Sequence, residues 1–209
     1  MKLFSATDVF LCLGRRGSGK SYLARRIQGA YPRKVIFDTL GEYGARDGVL
    51  CHSFAEFGRA LLRIESEGQR TFTLIYQFDV ERESHTSEFD QALRVLWHRG
   101  DVLVCVEEVQ YFATAHSMPM WLRNCLLTGR HRHLGLVFTT QRPGECHKTI
   151  VSQANHVFCG SLHEKNDLDY VKSVLGDKAQ ELIHLPERRF IYFRPGRGVS
   201  LIRNDLKPL

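Results

Sequence analysis

The chain has 209 residues, enough to bury one sizeable core and too few for two. Apolar residues make up 43%, charged residues 25% and aromatics 11%, which excludes wholesale disorder and fibrous repeats; no apolar run reaches the ~18–20 residues that span a bilayer. Lys and Arg number 29 against 23 Asp and Glu, a net charge of +6 that suits a polyanionic partner but would also serve solubility alone.

In chain order, the start MKLFSATDVFLCLG lacks the long apolar stretch and small-residue cleavage site of a secretory signal, so a reducing cytosol is the expected compartment. DVFLCL (8–13) reads as a buried strand ending at Gly14. KSYLARRIQGA follows as a helix, with Tyr22, Leu23, Ile27 and Ala30 spaced for one face. KVIFD (34–38) and TFTLIYQF (71–78) are further buried strands. SEFDQALRVLWHRG (87–100) is a helix with a stripe of Phe89, Leu93, Leu96 and Trp97, stopped by Gly100. DVLVCVEE (101–108) is an apolar strand tipped by two acids, MPMWLRNCLLTGR (118–130) a helix, and LGLVFTTQ (134–141) a strand with a polar end. HVFCG (156–160), a helix over 165–175, and the strands RFIYFRP and VSLIRN complete the series. Apolar runs that do not alternate, separated by amphipathic helices, predict parallel strands buried on both faces. The expected class is α/β, one domain over 1–209 with a central, mostly parallel sheet flanked by helices.

The six cysteines, Cys12, Cys51, Cys105, Cys125, Cys146 and Cys159, form no CxxC pair. Cys12, Cys105 and Cys159 sit within apolar runs, so packed free thiols are expected in place of disulfides or metal ligands.

Gly14-Arg15-Arg16-Gly17-Ser18-Gly19-Lys20-Ser21 satisfies G-x-x-x-x-G-K-[ST] and stands between a strand and a helix, the context a phosphate-binding loop requires. Glycines let consecutive backbone N–H groups turn inward as an anion nest at a helix N-terminus. Lys20 would reach the β- and γ-phosphates as a compact cation, the Ser21 hydroxyl would ligate Mg²⁺, and Tyr22 follows directly on the helix. Glu107 and Glu108 end the strand VLVCV, where an open α/β sheet places ligands. Side chains alternate along a strand, so the two cannot share a role. Glu107 is assigned to the Mg²⁺ side and Glu108 to the base that activates water. Gln141 would bond the γ-phosphate or orient that water, and the basic stretch Gly129-Arg130-His131-Arg132-His133 could supply an arginine finger across a subunit interface.

GRRGSGKS, VIFDTLGEY, VLVCVEE and GRHRHLGLVFTTQRP, in this order, resemble the FtsK–HerA group of P-loop ATPases, and the tail from SQANHVFCGSL through the ERRFIYF strand is similar to it too. The resemblance implies a RecA-like (ASCE) P-loop fold, with ATP hydrolysed at the subunit interfaces of a ring (a hexamer or pentamer) around double-stranded DNA. It places Glu107 and Glu108 where the group has Asp-Glu, makes Gln141 the sensor, and makes Arg130 the finger. A bare motor core of this length resembles the small genome-packaging ATPases of internal-membrane viruses, with capsid portal or vertex proteins as further partners and the host cytoplasm or the virion as location. The alternative is a phage-assembly ATPase of the zonula-occludens-toxin type acting with a membrane complex. Arg82, Arg99, Arg123 and Lys148 are unranked candidates for DNA contact.

Overall fold

A strand that is apolar at every position has to be covered on both faces, and the chain meets that demand with one nine-stranded sheet. The computed structural model describes residues 4–207. Its strands are β1 (Val9–Leu13), β2 (Arg33–Asp38), β3 (Val49–Cys51), β4 (Phe72–Gln77), β5 (Val102–Val106), β6 (Leu134–Thr140), β7 (His156–Cys159), β8 (Arg189–Arg194) and β9 (Gly198–Arg203). They lie in the order β3-β4-β2-β5-β6-β1-β7-β8-β9. The first seven are mutually parallel, and β8 and β9 return antiparallel as a hairpin. Every residue of β1, β5, β6 and β7 is buried, as their unbroken apolar sequences require. The expected fold class is what the structure shows.

The helices are α1 (Lys20–Gln28), α2 (Phe54–Ser66), α3 (His85–Arg99), α4 (Met120–Thr128), α5 (Lys148–Gln153) and α6 (Lys165–Leu175). Their distribution is uneven. One face of the sheet is packed by α2 through α6, with Phe57, Leu93, Leu122, Ile150 and Val171 among the buried contacts. The opposite face is packed by α1 through Leu23, Ala24 and Ile27, together with Phe190 and Ile202 of the hairpin. The thinly covered face carries the phosphate-binding loop.

Two differences from the sequence reading concern helices. Residues 39–70 were assigned no element, yet they hold β3 and the 13-residue α2. Ser53 caps α2 by accepting the Glu56 N–H at 3.3 Å, while the Glu56 carboxylate accepts the His52 N–H at 2.8 Å. On α1 the buried face is Leu23, Ala24 and Ile27; Tyr22 is 51% exposed and Ala30 lies beyond the last turn. All six cysteines are buried and free, and burial pushes the thiols up in pKa, Cys51 to about 11, as unreactive packing groups.

Candidate active site

The ends of β1, β2, β5 and β6 converge on one edge because the parallel registers align them: Leu13 pairs with Thr140, Val106 with Phe138, and Phe37 with Val106. From that edge the loop Gly14–Gly19 curls back into α1. Its three glycines have φ of 149°, 82° and 92°, and at 82° and 92° a side chain would be strained. A Cβ at Gly14 would fall 2.6 Å from Ser18 Oγ. The loop is anchored from below: Gly14 N–H donates to Thr140 O at 3.2 Å, and Arg15 N–H to Ser161 O at 3.0 Å. Arg15 Nε also donates to Ser161 Oγ at 3.1 Å, whereas the side chain of Arg16 is exposed. Ser18 Oγ is buried without a hydrogen-bond partner, the one such side-chain atom among the described residues. Such an orphan in a glycine-curled loop at a helix N-terminus fits a phosphate chain.

Lys20 is buried and its ammonium lies 3.1 Å from Glu108 Oε1. Glu108 is held from three further directions. Gln141 donates its backbone N–H to Oε2 at 2.8 Å and its amide to Oε1 at 3.0 Å, and Gln110 Nε2 donates to Oε2 at 2.9 Å. Thr140 Oγ1 donates to Gln110 Oε1 at 2.7 Å, extending the chain of bonds into β6. The backbone of Glu108 sits at φ 46°, in the left-handed region that a β-strand never uses. This turn swings Glu108 off the strand line and toward Lys20.

Glu107 keeps the strand's alternation and enters the α1 face. Tyr43 donates its hydroxyl to Oε1 at 2.9 Å, and Thr139 donates its own to Oε2 at 2.8 Å. Burial raises the pKa of Glu107, against the opposing pull of these two bonds. Tyr43 is delivered by a loop wound around Asp38, whose carboxylate accepts the N–H groups of Leu40, Glu42 and Tyr43 at 3.1–3.2 Å. Asp38 is fully buried and also accepts from Gln77 Nε2 at 3.1 Å.

Lys20, Glu108 and Gln141 are thus brought together, with Glu107 beside them but separately bonded. Arg130 is not part of this group. It lies exposed in a turn at Gly129–Arg132, before the first residue of β6, while the phosphate-binding loop meets the strand's last residue, Thr140. A seven-residue strand separates the two by roughly 20 Å. Asp38, Tyr43, Thr139 and Gln110 are contributors that sequence reasoning did not single out as site residues. Asp38 and Tyr43 were visible in VIFDTLGEY as a strand-ending acid and a Tyr five residues on; Gln110 left no such signal.

As to Mg²⁺, the hard oxygen donors it takes are present in the Ser21 hydroxyl and the two carboxylates. Among the described residues no group of three or more His, Cys, Asp or Glu could hold a metal ion. Mg²⁺ needs only one or two protein oxygens beside phosphates and water, and the Ser21 hydroxyl and the carboxylates are donors of that kind. A cleft of about 500 Å³ opens beside the loop, lined by Gly17, Gly19, Lys20, Ser21, Tyr22, Arg188 and Asn204. This is room for a nucleotide.

No family model matches the chain, and no curated protein is detectably similar to it in sequence. Solved structures are similar in fold. The genome-packaging NTPase B204 of Sulfolobus turreted icosahedral virus 2, in complex with AMPPCP, superposes with a TM-score of 0.74 at 19% identity, covering 99% of this chain and 100% of that one. VirB4 of Thermoanaerobacter pseudethanolicus gives 0.68 at 10% identity, covering 97% of this chain and 90% of its own. The plasmid coupling protein TrwB, bound to a GTP analogue, gives 0.61 at 12% identity over 98% and 87%. The chain therefore has the P-loop NTPase fold in the form these three proteins share, as the resemblance of its motifs to the FtsK–HerA group implied.

Proposed function

We propose that the chain is an ATP-hydrolysing motor that moves double-stranded DNA, packaging a viral genome into a preformed capsid. In this reading its 209 residues act as one ATPase domain, working in a ring of five or six copies in the host cytoplasm or the virion. The observation that carries the reading is the buried Lys20–Glu108 pair, joined by Gln141, at the mouth of the glycine-curled loop. Full-length likeness to a viral genome-packaging NTPase supports the finer claim.

The chemistry follows from competition for Lys20. Its ammonium has three protons and meets the Glu108 carboxylate at 3.1 Å. A triphosphate in the loop presents a stronger anion to the same ammonium, aided by the N–H groups at the start of α1. Drawing Lys20 toward the phosphates releases Glu108 Oε1, which then accepts a proton from the attacking water. Gln141 and Gln110 keep the carboxylate in place during this exchange. Mg²⁺ supplies charge neutralisation on the phosphates when bound; the Ser21 hydroxyl and, through water, Glu107 are the groups that would hold it. Arg130 is too distant to reach its own chain's loop, so the finger role that the resemblance implies for it would be exercised on the nucleotide of a neighbouring copy.

The test is the ATPase rate with and without double-stranded DNA for the wild type, Lys20→Ala and Glu108→Gln. Lys20→Ala should lose nucleotide binding. Glu108→Gln should still bind ATP while hydrolysis falls about 10²–10⁴-fold. Full activity in Glu108→Gln removes it as the base, and a wild-type rate indifferent to DNA removes the DNA motor.

A further inference from the structure

The cleft beside the loop has a wall that comes from the far end of the sequence. Arg188 N–H donates to Ser18 O at 3.1 Å, and Asn204 N–H donates to Arg188 O at 3.0 Å. The β8–β9 hairpin is thereby fastened to the phosphate-binding loop through Arg188, and Asn204 at its far end is tied to Arg188. A Cβ added at Gly19 would lie 3.6 Å from Arg188 Cα and Cγ and from Asn204 Nδ2. Arg188 is a non-glycine residue at φ 59°, a backbone cost that fixes where its side chain starts. Its guanidinium makes no hydrogen bond or ion pair among the described residues, and neither does the Asn204 amide. Across the first turn of α1, Tyr22 holds an aromatic ring 51% exposed. The fold thus sets one planar cation, one amide and one aromatic ring around a cleft whose other side is the glycine-curled loop with Lys20 and Ser21.

We infer that Arg188 and Asn204 select the nucleobase, holding an adenine against Tyr22 at the mouth of the phosphate-binding loop. Phosphates are served by the loop N–H groups and by Lys20, leaving these three for the rest of the nucleotide. A guanidinium plane and a tyrosine ring both stack on a purine face. An Asn amide offers one donor and one acceptor, the complement of the N6–N7 edge of adenine and a mismatch for the O6 of guanine. The inference rests on the ATP-binding reading above and adds specificity residues to it.

Titration calorimetry with ATP, GTP and inorganic tripolyphosphate separates base from phosphate contacts. The wild type should prefer ATP to GTP and bind tripolyphosphate. In Asn204→Ala the ATP preference over GTP should collapse by about 10-fold, with tripolyphosphate unchanged. Arg188→Lys keeps the charge but not the plane, and Arg188→Gly keeps the left-handed backbone without strain; each should weaken ATP about 10-fold and leave tripolyphosphate as in the wild type. Unchanged tripolyphosphate binding also shows that the variants are folded. Equal losses for ATP and tripolyphosphate in the Arg188 variants would make Arg188 a phosphate contact and overturn the inference, as would unaltered ATP binding in all three variants. Failure of the wild-type chain to bind tripolyphosphate would instead sink the nucleotide reading, and this inference with it.

Discussion

Glu107 and Glu108 are neighbours in sequence with opposite surroundings. Two hydroxyls hold Glu107 inside the α1 face, while Glu108, turned out by φ 46°, meets a lysine and two glutamines. Thr139 joins the two environments, since its hydroxyl donates to Glu107 Oε2 and accepts the Glu108 N–H at 3.1 Å. Thr139→Val should therefore leave a buried carboxylate oxygen and a buried N–H unpaired and cost about 2 kcal/mol of stability, measured by urea denaturation. A loss below about 0.5 kcal/mol would show that neighbouring groups take over both bonds. Of this site, the loop and the acid pair were legible in sequence, because their chemistry is written in contiguous residues. The partnership of Lys20 with Glu108 was not: it joins positions 88 residues apart, and only the sheet register brings them together. Gln110 is illegible for the same reason, as its meaning depends on Glu108 turning back toward it.

Among elements, the clearest instruction passed from sequence to structure is the unbroken apolar strand. VFLCL, VLVCV and LGLVFTT all lie inside the parallel sheet. Helix α2 went unread from the sequence although it carries the usual marks: Phe57, Leu61 and Ile64 follow helical spacing, and Ser53 with Glu56 marks its start. The three-residue β3 is too short to show a period, and its place in the sheet comes from pairing with β4. The turn after β7 gives a further prediction. A Cβ at Gly160 would lie 3.0 Å from Ser18 Cβ, 3.2 Å from Leu13 O and 3.2 Å from the Phe190 ring. Gly160→Ala should push the phosphate-binding loop upward, lowering stability by about 1–3 kcal/mol and weakening ATP binding in the same variant. A stability loss with unaltered ATP affinity would mean that the strain is absorbed by Phe190 and not by the loop.

For the whole molecule, the net charge of +6 takes on a destination if the DNA reading holds. Some candidate cations are already committed within the chain: Arg82 lies 3.5 Å from Glu88, and Arg99 is paired with Glu65. Arg123 and Lys148 are exposed, among the described residues without an ion pair. One domain of this size cannot encircle a duplex, so the proposed DNA-threading motor requires assembly, and the finger role proposed for Arg130 requires a second copy. The ATPase rate per chain should accordingly rise with protein concentration before reaching a plateau. Affinity for double-stranded DNA should fall about 10³-fold or more between 50 and 200 mM salt if six or more phosphates are gripped. A rate per chain independent of concentration would remove the ring, and a flat salt profile would remove the phosphate grip. Among the described residues, no helix is long and apolar enough to cross a membrane.

The placement of β1 between β6 and β7 has a consequence for how the protein is made. The strand that carries the phosphate-binding loop leaves the ribosome well before its two partners, which begin at residues 134 and 156, and the hairpin that fastens the loop closes only at Asn204. The nascent chain therefore holds a complete phosphate-binding sequence long before it holds a phosphate-binding site. Competence for nucleotide waits until the hairpin that also completes the sheet has been made.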